Sequence, residues 1–229
     1  KNGNLFFQKY LSIDKKNLSV LYNYGLNYFR QKDYINSKEQ FEKIISLKKE
    51  FKETKLIYGI INLELKEYEK AEQIFKSLIK NKKNLSESFY NLGILYQKIS
   101  NFNLSIEFFE RAIHKDNQNY QFFNSIGISY QRIFNYAKAE LAYKNAINLN
   151  NKSDKAYSNL GLLKQKSGFY EEAIYYYNLA LKLKPNNAGI LFNKSLCFLE
   201  SGNFKEGISL YKWRLGGIYK DNSSIKLEN

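Results

Sequence analysis

Residues 86–119 read SESFYNLGILYQKISNFNLSIEFFERAIHKDNQN, and residues 120–153 read YQFFNSIGISYQRIFNYAKAELAYKNAINLNNKS. Laid one over the other, they put Gly93 on Gly127, Ser105 on Ala139, Phe109 on Tyr143 and Ala112 on Ala146. Outward from this pair the same step of 34 continues without an insertion, through Gly25, Gly59, Gly93, Gly127 and Gly161, and then the small Ser195. Twelve residues after each stand Ser37, Ala71, Ser105, Ala139, Ala173 and Gly207, all small. Four further on come Phe41, Phe75, Phe109, Tyr143, Tyr177 and Tyr211, and three after those Ile44, Leu78, Ala112, Ala146, Ala180 and Arg214. A fixed period of this length marks a repeat protein in which each unit is one supersecondary element stacked on its neighbours.

Counting positions 1–34 from residue 18, the recurring classes fall at positions 4, 7, 8, 11, 20, 24 and 27. In residues 86–119 these are Phe89, Leu92, Gly93, Tyr96, Ser105, Phe109 and Ala112. The pattern resembles the tetratricopeptide repeat (TPR) family. The resemblance implies an all-α fold, a right-handed superhelical solenoid of antiparallel helix pairs. It divides the chain into the second helix of a truncated repeat (1–17), repeats at 18–51, 52–85, 86–119, 120–153 and 154–187, a degenerate closing repeat (188–215) and a linker or tail (216–229). Gly3, Phe7 and Tyr10 fit the small, aromatic and third core positions of the truncated unit. Lys55, Asn62 and Lys164 depart from the pattern, because polar side chains stand where core residues are expected.

Within each unit the first helix (A) is expected over positions 2–14 and the second (B) over 18–30. A glycine inside a helix costs about 1 kcal/mol against alanine. Five at one spacing therefore point to a close helix crossing, with the small residue at position 20 facing it and the aromatic at 24 filling the next turn. Polar turns such as Ser100-Asn101 and Ser167-Gly168 separate the two helices of a unit, and Asn-rich stretches separate one unit from the next.

Composition excludes several chemistries. One Cys permits no internal disulfide, and one Cys with one His builds no Cys/His zinc site. No apolar run is long enough to span a membrane. Cys197 reads as small core, His114 falls at position 29 of an outer helix, and Glu171-Glu172 suit a helix N-terminus. No catalytic set, metal site or cofactor site emerges. Lys+Arg is 36 against 22 Asp+Glu, a net charge of +14. Lys, Asn, Ile, Tyr and Phe, all read from A/T-rich codons, make up about half of the chain, so much of that charge reads as compositional. No Met is present, which points to a piece of a longer polypeptide. The expected setting is cytoplasmic and bacterial.

The resemblance implies that positions 2, 5, 6, 9, 12 and 13 line a concave groove. Position 6 carries Asn23, Asn91, Asn159 and Asn193, with Ile57 and Ser125 in the other two units. An amide offers both donors and an acceptor, so a column of them can hold the backbone of an extended peptide. This resembles the asparagine ladder of O-GlcNAc transferase. Position 13 carries Arg30, Lys98, Arg132 and Lys166, preceded in three units by Gln97, Gln131 and Gln165. That edge suits an acidic partner, although a cation in the last helical turn also complements the helix dipole. The chaperone carboxylate clamp is not matched, because Tyr22, Leu26, Tyr90 and Ile94 stand where it needs Lys and Asn.

The closing string Gly202-Asn203-Phe204-Lys205-Glu206-Gly207, followed by Leu210-Tyr211-Lys212-Trp213-Arg214, resembles the last repeat of bacterial TPR proteins that continue into a glycosyltransferase-like domain. A degenerate terminal repeat explains it equally. The reading that results is a non-enzymatic scaffold for an extended peptide or partner protein, serving a larger glycosyltransferase-like polypeptide. A stand-alone adaptor in envelope assembly or secretion is the alternative. Binding to nucleic acid through the basic face is a third and weaker one, since the aromatic positions are core rather than stacking platforms.

Overall fold

The computed structural model describes residues 2–47, 51 and 53–215, and the expected linker or tail lies outside them. The chain divides into two compact units, residues 1–116 and 117–229. In the first, α1 (Asn2–Ile13) precedes three pairs: α2 (Leu18–Arg30) with α3 (Tyr34–Leu47), α4 (Thr54–Glu64) with α5 (Tyr68–Lys80), and α6 (Leu85–Lys98) with α7 (Phe102–Lys115). In the second, α8 (Tyr120–Arg132) pairs with α9 (Tyr136–Leu149), α10 (Asp154–Lys166) with α11 (Tyr170–Leu183), and α12 (Ala188–Glu200) with α13 (Phe204–Tyr211). A 3-10 turn, Lys212–Leu215, ends the described chain. Among the described residues all regular structure is helical.

Asparagine builds the helix starts. The side chains of Asn17, Asn101, Asn119, Asn135 and Asn187, and of Ser153, each accept from a backbone N–H of the following first turn. Each satisfies a donor that the helix cannot. The turn from A to B is equally regular. Position 15 is left-handed in all six repeats, at Lys32, Lys66, Ser100, Phe134, Gly168 and Gly202. Glycine suits that conformation, whereas Phe134 holds it with φ 61° and a ring 78% exposed.

The expected crossing is present in every repeat. A Cβ built on Gly25, Gly59, Gly93, Gly127 or Gly161 would lie 2.5–3.0 Å from the ring at position 24 of the same unit, Phe41, Phe75, Phe109, Tyr143 or Tyr177. All five rings are fully buried. Where position 20 is serine, its hydroxyl donates across the crossing to the position-8 glycine carbonyl: Ser37 to Gly25 at 2.8 Å and Ser105 to Gly93 at 2.9 Å. The closing repeat exchanges the two residue types, and the bond reverses. Ser195 on α12 donates to the Gly207 carbonyl on α13 at 2.8 Å.

Two polar residues at position 11 are matched one repeat back. Tyr96 donates to Glu72 at 2.7 Å, and Lys164 meets Glu140 at 3.0 Å, in both cases position 11 on position 21. Lys164 also meets Glu172 at 3.0 Å and lies over the Phe169 ring, so a nearly buried ammonium has two carboxylates and an aromatic face. Asn62, the other departure, is fully buried and its amide nitrogen donates to the Tyr58 carbonyl at 2.6 Å.

The last B helix is shorter than the expected span. It ends at Tyr211, because position 27 is Arg214, which stays exposed and lies over the Tyr211 ring at 5.5 Å. Ile44, Leu78, Ala112, Ala146 and Ala180 are buried at that position in the other units.

Gly93→Leu is expected to destabilise the chain by about 1–3 kcal/mol through overpacking against Phe109. Ser105→Ala should cost about 1 kcal/mol for the lost cross-helix bond, and urea unfolding of both variants measures this. Acid should weaken the Lys164 cluster. Lys144 first, then Lys164, hold the Glu140 carboxyl below the usual carboxylate range against the opposing effect of burial. Burial pulls the Lys164 amine down, but Glu172 and Glu140 outweigh it and leave the amine above the usual lysine value. A lowered carboxylate contributes stability that is present above its unfolded pKa of about 4.3 and lost as the pH falls through the lower folded value. Unfolding free energies from urea titrations taken from pH 5 down to pH 3 should fall less steeply for Glu140→Gln than for the unaltered chain, by an amount on the order of 1 kcal/mol.

Candidate functional site

Within each unit the A helices of consecutive repeats touch: α4 with α6 in the first, α8 with α10 and α10 with α12 in the second. Of the positions expected to line the groove, position 5 is buried at Tyr22 and Leu56 and position 12 at Leu63 and Gln165. Position 9 is aliphatic throughout, with Leu26, Ile60, Ile94, Ile128, Leu162 and Leu196 all half-buried. Position 9 thus forms a partly exposed aliphatic stripe in the register of the repeat. The stripe was open to reading in the sequence, but aliphatics on a helix pass for core until the register shows which face they occupy.

In the first unit the position-6 side chains differ from one another. Asn23 is exposed, Ile57 is half-buried, and Asn91 is only 8% exposed, its amide nitrogen donating back to the Glu87 carbonyl at 2.7 Å. At the edge, Arg30 is exposed, while Lys98 meets Glu64 of the preceding repeat at 3.4 Å. Tyr22 at position 5 is buried and donates to Glu53 at 3.1 Å. Burial, with that carboxylate adding, pushes its phenol up to about 12, so it is a neutral donor at any physiological pH. Gln97 is half-buried.

In the second unit two of the polar side chains are joined across repeats. The Asn159 amide donates to Asn124 of the preceding repeat at 3.0 Å, both side chains half-buried, and Asn193 is half-buried one repeat on. Arg132 and Lys166 are exposed at the edge. The glutamines beside them are engaged within the fold. Gln131 accepts from the Tyr143 hydroxyl at 2.9 Å and Gln165 from Tyr177 at 2.7 Å, and the Gln165 amide nitrogen also donates to Glu200 at 2.9 Å. Both groups of the buried Gln165 amide thus have partners inside the protein. Repeat 3 has Phe109 in place of a tyrosine, so the same bond has no donor there.

Cys197 is fully buried, with its Sγ 3.6 Å from the Tyr170 carbonyl. Burial, and then Glu200, push the thiol up to about 11. His114 is exposed in the last turn of α7. Among the described residues no three His, Cys, Asp or Glu side chains gather as a metal site would need, and no helix is long and apolar enough to cross a membrane.

Models of the tetratricopeptide repeat match residues 154–187 in one case, and residues 18–51 and 86–114 in another. The chain carries tetratricopeptide repeats. No curated protein matches it in sequence. Among solved structures it is similar to MamA, at 24% identity and a TM-score of 0.61, covering 69% of this chain and 92% of that one. It is similar to PilF of Pseudomonas aeruginosa at 16% identity and a TM-score of 0.71, covering 91% and 94%. A chain of the APC/C hetero-tetramer Cut9–Hcn1 gives 16% identity and a TM-score of 0.81, covering 93% of this chain but 42% of that one. At such identities these likenesses establish the fold.

The Cys197 thiol is expected to resist modification while the chain is folded. Maleimide labelling should run at least about 100-fold slower than on a free cysteine and reach one equivalent only in denaturant. Rapid labelling of the folded protein would contradict the buried placement.

Proposed function

We propose that this chain is a binding scaffold that takes an extended segment of a partner protein along the A-helix surface of its second unit. The observation that carries this reading is the bonded pair Asn159 and Asn124, with half-buried Asn193 one repeat on and half-exposed Ile128, Leu162 and Leu196 at position 9 of the same repeats. The amides supply donors and acceptors to a peptide backbone, whereas the aliphatic stripe accepts alternate side chains. Exposed Arg132 and Lys166 at the edge favour a partner with acidic residues. The reading needs no chemistry from this segment, and the inert environment of Cys197 accords with that. A chain of the Cut9–Hcn1 hetero-tetramer is similar to this one in fold, which fits a fold used for assembly.

A finer reading makes the chain the recognition region of a larger glycosyltransferase-like protein. Its support is the position-6 asparagine column together with the closing Tyr211–Arg214 string. The stand-alone adaptor differs from it in what the gene encodes beyond residue 229.

Peptides captured by the intact chain from a display library of extended sequences test the groove. Asn159→Ala combined with Asn193→Ala should weaken them at least about tenfold, since two hydrogen bonds of roughly 1 kcal/mol each are removed. Asn148→Ala on α9 should leave them unchanged. Equal effects of the two sets, or none from the first, would refute the assignment.

A further inference from the structure

Position 7 is a core position in five repeats. Tyr24, Tyr58, Leu92, Ile126 and Leu160 are all buried there. The sixth residue of that column is Lys194 on α12, and it is half-buried. Its ammonium donates to Asn178 Oδ1 on α11 at 2.7 Å and lies 5.4 Å from the centre of the Phe198 ring. Among the described residues no carboxylate comes within ion-pair distance of it. Two other cations partly withdrawn from water are paired, Lys38 with Glu67 at 2.5 Å and Lys164 with Glu140 and Glu172 at 3.0 Å each.

The same pair of positions one end of the chain away shows what is missing. In the first unit position 7 is Tyr58, and its hydroxyl donates to the carboxylate of Glu42 at position 25 of the preceding repeat, at 2.6 Å. In the second unit position 25 is Asn178 and position 7 is Lys194, so an acid has become an amide where a hydroxyl has become a cation. An amide oxygen solvates an ammonium but does not neutralise it. Burial pulls the Lys194 amine down, as it does for a cation without a countercharge.

Lys194 also lines an open cavity of about 550 Å³ between α11 and α12. Tyr175, Asn178, Leu179, Leu181, Lys182 and Pro185 share its wall, so a second cation, an amide and a phenol stand beside an apolar part made by Leu179, Leu181 and Pro185.

We infer that this cavity is a binding site for an acidic side chain of a partner polypeptide, with the carboxylate received by Lys194 and the neighbouring aliphatic residue by Leu179 and Pro185. The apolar wall favours a carboxylate carried on a peptide over a bare anion, because a hydrated inorganic ion gains nothing from it. The site lies at positions 7 and 25, apart from the A-helix surface proposed above, and neither depends on the other.

The test uses the full chain and an acetylated, amidated peptide with one glutamate between two leucines, alongside the same peptide with glutamine in its place. Fluorescence anisotropy of the labelled peptides should show the glutamate form binding at least tenfold tighter. That preference should vanish in Lys194→Leu and persist in Lys194→Arg. Lys194→Leu places at position 7 the residue that other repeats carry there, and its helical circular dichroism should match the unaltered chain. Equal binding of the two peptides, binding of neither, or a preference surviving in Lys194→Leu would overturn the site. So would inorganic phosphate binding Lys194 more tightly than the glutamate peptide does, since that would assign it to phosphate.

Discussion

The contact between a helix backbone and an aromatic ring, repeated every 34 residues, is the constraint from which the rest of this structure follows. At position 8 the A helix comes so near the ring at position 24 that even a methyl group would stand inside van der Waals distance. Glycine removes the obstacle, the ring fills the space, and helix A is held against helix B of the same unit. Dispersion across such a crossing is lost steeply when the gap opens by a fraction of an ångström. The serine hydroxyls of Ser37 and Ser105 add a directed bond to the same place. The closing repeat keeps the arrangement with its residues exchanged, Ser195 on the A helix and Gly207 on the B helix. Leu199 there takes the role of the ring, 2.6 Å from a Cβ built on Gly207. Close approach, rather than any one residue at any one position, is what each unit conserves physically.

Much of this was legible in the sequence because it is periodic. Gly93 and Phe109 recur with their spacing intact, and sixteen residues between two core classes on successive helices point to a crossing. What could not be read is which side chains the packing brings together. Lys164 looked like a defect in the pattern until Glu140 and Glu172 were placed around it. Tyr96 finds Glu72 by the same offset. Gln131 and Gln165 read as surface residues preceding a basic edge, yet each meets a tyrosine hydroxyl twelve residues on. The asparagine column was visible as a column, but not the difference between Asn91, turned back on its own helix, and Asn159, joined to Asn124. The last helix broke at Tyr211, where Arg214 cannot enter the core, although the period alone would extend it.

The basic composition acquires structure in the same way. Lys98 and Lys164 each meet a carboxylate in another helix, and Lys38 meets Glu67 at the N-cap of α5, so part of the positive charge ties one element to another. Arg30, Arg132 and Lys166 remain exposed in the last turns of their A helices. Asparagine is likewise divided. Asn17, Asn101 and Asn119 cap helices, so codon bias and helix capping draw on the same residue. A count of residues cannot separate these uses, whereas position within the repeat does.

A double-mutant cycle at one crossing tests the account most directly. Gly93→Ala, Phe109→Leu and the two together would be compared with the unaltered chain by urea unfolding. If the ring is the reason for the glycine, the smaller leucine relieves the added methyl group, and the two changes couple by about 1–2 kcal/mol. Additive effects would mean that Gly93 answers to something other than the ring of Phe109, and the crossing would lose its place as the constraint that sets the repeat.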